Sequence, residues 1–254
     1  MSNPDPSPTP PANATQSSNP VIDTSTSAMP PKTLTLILAA TPSLGIGKNG
    51  GLPWPQLKKE MGYFARVTKR TTPTGISEGD AAGEMASKRQ RINAVVMGRK
   101  TWDSIPPKFR PLKGRLNVVV TRSVERFEAQ LEQGRDKKEG DVEGPLVVGS
   151  VGDALARLQS TQELGVEVDK VMVIGGASIY EQSLKLKEAR HVLLTKIQNE
   201  YECDTRFSEN LDGPQWEKAS QNELKVFTGE DFEDGVEIEE KDVKFEFCLY
   251  NRLD

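Results

Sequence analysis

Seven strand-length apolar runs set the terms for any fold this chain can adopt. They are TLTLILAA (33–40), INAVVM (92–97), LNVVV (116–120), PLVVGS (145–150), KVMVIGG (170–176), HVLLTKI (191–197) and KFEFCLY (244–250). Each is too short to be a buried helix, and they are rich in β-branched residues, which suit a strand covered on both faces. Helical patterns at 55–68, 99–105, 151–164 and 176–187 fall between several of them. In the third, Ala154, Leu155 and Leu158 recur at helical spacing. Strands alternating with helices predict an α/β fold: one open, mixed but mostly parallel sheet of about eight strands, flanked by helices. The last two runs have no helix between them, so the C-terminal end should be antiparallel. QWEKASQ (215–221) is a candidate for a further strand.

Composition narrows the function classes. The formal net charge of −4 offers no basic excess for nucleic acid or an anionic membrane. No apolar run approaches the roughly 20 residues that span a bilayer. Two cysteines far apart, Cys203 and Cys248, read as reduced thiols of an intracellular, cytoplasmic protein. With one histidine, His191, a multi-histidine metal site is impossible. That histidine lies in a strand-like run and reads as structural. Chemistry must then rest on carboxylates, hydroxyls, backbone dipoles or a borrowed cofactor.

Residues 1–31 hold eight of the 17 prolines among Ser, Thr and Asn, and should be a disordered extension. They have no apolar core like a signal peptide's and no Arg or Lys, which argues against a transit peptide. Residues 32–254 form the folded domain. Three stretches within it read as solvated surface insertions: polar 69–91, charged 132–144 and strongly acidic 229–242.

The stretch LGIGKNGGLPWPQLKKEMGYF (44–64) concentrates the functional signal. Gly45, Gly47 and Gly50 match the G-x-G-x-x-G spacing of a dinucleotide turn. That motif should open a helix. Here Gly51-Leu52-Pro53-Trp54-Pro55 follows, which cannot continue one. The reading is therefore a mobile glycine loop, with an ordinary turn still open. A short helix then carries Glu60. A carboxylate facing inward among Trp54, Met61 and Phe64 would anchor a flat, cation-capable heterocycle.

A second glycine motif has better context. The buried-strand pattern 171–174 runs into Gly175-Gly176, and Ala177-Ser178-Ile179-Tyr180 begins a helix. Backbone N–H groups and the positive end of a helix attract phosphate. A plain strand-to-helix turn would look the same in isolation. Arg99-Lys100-Thr101 and Thr121-Arg122-Ser123 follow two other strands, at the ends where open α/β sheets bind ligands. Arg with Ser or Thr suits a phosphate monoester, such as the 2′-phosphate of NADP.

Taken in order, these blocks resemble the dihydrofolate reductase family over roughly residues 33–250. The matching blocks are LGIGKNGGLPWP, the Glu60 helix, MGRKTWDSIP (97–106), PLKGR (111–115), VTRS (120–123), VIGGASIY (173–180) and YECDTRF (201–207). The tail and insertions look like a fungal-type member. The resemblance implies reduction of 7,8-dihydrofolate to tetrahydrofolate by NADPH, serving one-carbon metabolism and thymidylate synthesis. It also implies a monomer open to antifolate inhibitors, with no need of nucleic acid or membrane. By resemblance, Glu60 holds the pterin, Thr195 bonds that acid, and Trp54 orders a water beside the ring. The carbonyls of Ile37 and Ile174 face the pterin, Met61, Phe64, Ile105 and Tyr180 line its pocket, and Arg115 pairs with the tail carboxylate. Ala39, Gly45, Ile46, Gly47, Gly50, Gly51, Arg99, Lys100, Thr101, Thr121, Arg122 and Ser123 match NADPH contacts. So do Gly175, Gly176, Ala177, Ser178, Ile179 and Tyr180. The chain departs from vertebrate members at Met61, where they have an aromatic residue, and at Phe109, where they have a polar one. It also lacks their long polar side chains at Gly62 and Ala65. A reductase of another pterin or of a ribosylated pyrimidine is the runner-up. A catalytically silent ligand-binding protein is the reading from a different class.

Overall fold

The computed structural model describes residue 1 and residues 32–73, 90–133, 142–159, 165–231 and 237–253. The expectation of disorder over 2–31 lies outside these residues, as do the centres of the three insertions at 74–89, 134–141 and 232–236. The described chain from Lys32 onward belongs to one compact unit. Its elements run β1 (Leu34–Ala40), β2 (Gly45–Gly47), α1 (Lys58–Lys69), β3 (Gln90–Gly98), α2 (Arg99–Ser104), β4 (Arg115–Val120), α3 (Val124–Gln133), β5 (Leu146–Val148) and α4 (Val151–Gln159). They continue with β6 (Val166–Gly175), α5 (Ala177–Leu184), β7 (Ala189–Ile197), β8 (Thr205–Arg206), β9 (Trp216–Lys218), α6 (Gln221–Thr228), β10 (Ile238–Glu240) and β11 (Val243–Arg252).

The expected sheet is present. Its strand order is β10-β11-β7-β1-β6-β3-β4-β5, with β9 added against the end of β11. The six strands from β7 to β5 are mutually parallel, and β11 returns antiparallel to both β7 and β10. Continuous burial along β1 and β4 explains why these runs carry no polar alternation: both faces are covered. On one face, Leu36, Val118 and Val173 pack with α4 and α5 through Leu155, Leu158 and Ile179. On the other, Ile37, Met172, Leu193, Phe245 and Phe247 pack with Leu57, Tyr63 and Val67 at α1. Tyr63 stacks on Phe247 with ring centroids 3.8 Å apart.

Two fully buried asparagines fix the loops that deliver the site. Asn93 donates to the carbonyls of Thr68 and Arg70 and accepts from the N–H of Lys170, tying the end of α1 to the sheet. Asn117 donates to the carbonyls of Leu112, Arg115 and Glu143 and accepts from the Leu112 N–H. Buried side-chain amides need such partners, and satisfied networks of this kind specify one arrangement.

The sequence reading needs three corrections. The first helix begins at Lys58 rather than at 55, because Pro55, Gln56 and Leu57 remain extended or irregular. The acidic insertion 229–242 is not wholly a solvated loop. Its residues 238–240 form a sheet edge, and the Glu230 side chain is 7% exposed, paired with Arg66 and Arg70. Helices α3 and α6 were not anticipated. We expect Leu193→Ala, which removes a fully buried side chain beneath α1, to destabilise the fold by about 2–5 kcal/mol in urea denaturation.

Candidate active site

Glu60 stands at the third position of α1, where the chain leaves the Pro-Trp-Pro turn. Thr195 on β7, itself buried, donates its hydroxyl to Glu60 Oε1 at 3.4 Å. Burial pushes the Glu60 carboxyl up to about 7, and the Thr195 hydrogen bond opposes that rise. Trp54 is buried in the cluster with Leu57 and Tyr63, edge-on to Tyr201 at 6.0 Å. Phe64, Ala39 and Ile174 pack at the margin of the same cluster. Tyr180 reaches across from α5 and donates its hydroxyl to the carbonyl of Ile37 at 2.8 Å. Met61 follows Glu60 on α1 and is 43% exposed, with Gln56 Nε2 3.1 Å from its sulfur.

Arg115 is 5% exposed at the start of β4, against the far end of α1. Its guanidinium donates to Thr68 Oγ1 at 2.8 Å and to the carbonyl of Lys113 at 3.1 Å. Both partners are neutral. Burial lowers its pKa to about 10, which still leaves it cationic at neutral pH. A buried cation bonded to neutral groups suits a ligand carboxylate held by paired hydrogen bonds. Ile105 and Leu112 pack into the sheet beside it, and Phe109 is 54% exposed at the rim.

The second glycine motif meets the first basic spot. Gly98 precedes α2 and Gly176 precedes α5, and neither helix has a side-chain cap. A Cβ on Gly176 would lie 3.4 Å from Thr101 Oγ1, and one on Gly98 would lie 3.0 Å from Ile179. Gly175 has φ +116°, beyond the reach of an ordinary L-residue, and Tyr180 Oη lies 3.3 Å from where its Cβ would be. The residues 98–101 and 175–179 therefore form one surface at the C-terminal ends of β3 and β6. Its uncapped N–H groups and absent side chains fit a dinucleotide phosphate. Lys100, Arg122 and Ser123 are exposed beside it, with Thr121 half-buried. Arg99 is already engaged, bonded to Asp103 at 2.7 Å and stacked over Phe127 at 4.0 Å.

Comparison with known proteins is decisive. Residues 87–241, more than half of the chain, match the family model described as Dihydrofolate reductase. The chain is 36% identical over 242 residues to "Dihydrofolate reductase" of Cryptococcus neoformans, covering 85% of this chain and 93% of that one. It is 34% identical over 221 residues to that of Mus musculus, covering 87% and 98%. The Schizosaccharomyces pombe relative is 35% identical over 233 residues, and this chain spans only 48% of its length. The solved structure "Schistosoma mansoni Dihydrofolate reductase" aligns with a TM-score of 0.59 and 30% identity, over 87% of this chain and 98% of that one.

This chain belongs to the dihydrofolate reductase family.

It is therefore an enzyme, an oxidoreductase of tetrahydrofolate and one-carbon metabolism, and dihydrofolate reductases use a nicotinamide cofactor. The family frame also brings out residues that the sequence reading missed. Glu200, Glu202 and Asp204 alternate along an extended segment, so their side chains share one face. They bond Ser43, Lys48 and the N–H of Asn49 respectively, and β8 pairs with β2. Between them Cys203 faces the other way, against Gly45, where a Cβ would collide with its sulfur. The glycine loop expected to be mobile is thus anchored from the 200–206 segment. The i, i+2, i+4 spacing of acids was the available signal.

The raised Glu60 pKa makes a stability claim. The folded state holds its proton up to about pH 7, and the unfolded state only to about 4.5. The folded state binds the extra proton between those values, so stability falls as pH rises through that window. A Glu60→Gln variant cannot ionise. Its stability without ligands should match wild type below about pH 4.5 and exceed it by at most about 3 kcal/mol above pH 7, measured as urea midpoints across pH.

Proposed function

We propose that this enzyme reduces 7,8-dihydrofolate to 5,6,7,8-tetrahydrofolate with NADPH as reductant, adding hydride at C6 and a proton at N5. The product would supply one-carbon metabolism and thymidylate synthesis. The observation that carries this reading is that one helix, α1, has a desolvated carboxyl, Glu60, in its first turn and a buried guanidinium, Arg115, bonded to Thr68 near its other end. Dihydrofolate is polarised in the same sense. Its pterin presents N3–H and a 2-amino group as donors, and its glutamate tail carries carboxylates. A reductase of a ribosylated pyrimidine would have no use for Arg115.

Glu60 accepts from the pterin donors, and Thr195 holds it in place. The flat ring lies between Phe64 and the strand ends at Ile37 and Ile174. The phenol of Tyr180 steadies the Ile37 carbonyl that faces the ring edge. Glu60 stays ionised while it accepts from the pterin, so the proton for N5 arrives from solvent through a water beside Glu60 and Trp54. Arg115 fixes the tail, so the ring is presented in one orientation. NADPH, when bound, supplies the hydride. Gly175 and Gly176 with the start of α5 cradle its phosphates, Ala39 and the glycine loop (Gly45, Ile46, Gly47, Gly50, Gly51) cover it, and Arg122 with Ser123 and Thr121 meets the 2′-phosphate. Arg99 is bonded to Asp103, which leaves Arg122 and Lys100 as the exposed cations of that set. Antifolates that copy the pterin's donor edge would bind Glu60 in the same way. A cytoplasmic monomer completes the proposal, supported by two free thiols, which suit a reducing compartment.

Loss of absorbance at the nicotinamide band on mixing the enzyme with NADPH and dihydrofolate tests the reaction. Glu60→Ala should cut kcat/KM at neutral pH about a hundredfold or more while leaving NADPH affinity in place. Near-wild-type turnover in that variant would sink the assignment. Cofactor choice is tested separately: Arg122→Glu should raise KM for NADPH far more than KM for NADH, because only NADPH carries the 2′-phosphate. Equal effects on both would remove Arg122 from that role.

A further inference from the structure

We propose that Glu240 is a positioning residue for Glu60: its carboxylate, delivered from the β10–β11 turn, caps the first turn of α1 and fixes where the pterin-holding acid stands. The inference rests on the reading of Glu60 given above. A helix begins with unpaired N–H groups, and a Ser, Thr, Asp or Asn just before it usually accepts from them. Helix α1 has Leu57 in that place and no side-chain cap of its own. Glu240 Oε1 instead accepts from the N–H of Lys58 and Oε2 from the N–H of Lys59, each at 2.8 Å. The next residue is Glu60. The cap comes from 182 and 181 positions away in sequence, out of a segment that reads as an acidic surface insertion.

Two further bonds join the same partners. Lys241 donates its Nζ to the carbonyl of Gln56 at 2.8 Å, and Lys59 donates its Nζ to the carbonyl of Glu239 at 3.3 Å. The donor segment is itself well held. Lys241 and Asp242 both have positive φ, 54° and 62°, the two-residue turn that matches strand twist in a hairpin. That turn sets Glu240 opposite Val243, which is buried in the same cluster as Leu57 and Trp54. Asn199 and Gln198, just past the end of β7, bind the hairpin through Asp242, Lys244 and Glu237. Thr195 lies on β7, three residues before Gln198. One corner of the sheet therefore holds Glu60 twice: Thr195 reaches its carboxyl, and Glu240 holds the start of its helix. A carboxylate at a helix N-terminus is also favoured by the backbone dipoles, and those two N–H groups keep Glu240 ionised well below neutral pH.

The test is equilibrium binding of dihydrofolate and NADPH, measured separately, with steady-state kinetics and amide hydrogen exchange on the full chain. Glu240→Ala should weaken dihydrofolate binding about fivefold to tenfold, leave NADPH affinity within about twofold, and speed exchange at Lys58 and Lys59. Glu240→Gln keeps one acceptor oxygen and should fall between. It carries the test if the alanine variant does not fold. Glu217→Gln, an exposed acid on β9 of the same sheet, should change none of these. Dihydrofolate affinity within twofold of wild type in both Glu240 variants would overturn the proposal. So would an equal loss of NADPH affinity, because a general loosening of the fold would weaken both ligands. Glu60→Gln in the same assays separates the two claims. If it leaves dihydrofolate affinity intact, the reading of Glu60 fails. If it weakens binding and Glu240→Ala does not, only the role of Glu240 falls.

Discussion

The site depends on a carboxyl group that the fold largely withholds from water and that, among the described residues, is bonded to a hydroxyl rather than a cation. Glu60 has Thr195 as its hydrogen-bond partner, and a hydroxyl offsets little of the desolvation of an anion. The carboxyl is therefore left poised near neutrality. A ligand that offers two N–H donors in a plane completes what the protein leaves incomplete. Ligand binding then draws on that deficiency, which also makes the empty enzyme less stable than its sequence would allow at neutral pH.

The sheet makes that deficiency usable. Parallel strands β1, β6, β3 and β4 end on one side, and the groups that must converge on a ligand are placed by strand ends and the turns after them. Ile37 and Ala39 come from β1, Ile174 to Gly176 from β6, Gly98 to Thr101 from β3, and Thr121 to Ser123 from β4. None of these turns is held by one interaction. Gly176 approaches Thr101, Gly98 approaches Ile179, and Tyr180 bonds Ile37, so each turn is fixed by its neighbours. Asn93 and Asn117 do the same on the tail side, from inside the sheet.

The strands were legible because burial on both faces leaves mostly apolar residues, and Glu60 was legible because the turn before it is so unusual. Helix α6 was missed although Ser220 and Glu223 form a capping box that the sequence displays. A strand reading of 215–221 ran over the cap, whereas β9 stops at Lys218. Glu240 was not legible at all. Its role depends on contacts between residues 182 and 181 apart, and an acid among acids carries no mark of the one that folds inward. Glu230 is a similar case. Its neighbours suggest a solvated run, yet it is sealed between Arg66 and Arg70.

Glu230 bears on why Arg115 stands apart. Arg66 and Arg70 follow Glu60 along the end of α1, close in sequence to Thr68, which bonds Arg115. Left free, they would compete for the same anionic tail. Glu230 takes both, at 2.6 and 2.9 Å, and Arg70 also donates to the Thr228 carbonyl. Arg91 is neutralised in the same fashion by Asp169 and Glu167. Arg115, by contrast, bonds a hydroxyl and a carbonyl. The acidic segment thus acts at both ends of α1: Glu240 sets the position of the carboxyl that receives the ring, and Glu230 occupies the cations that would blur recognition of the tail. One helix then carries one unneutralised acid in its first turn and one guanidinium bonded near its other end, an arrangement suited to a ligand that is charged at one end and a hydrogen-bond donor at the other.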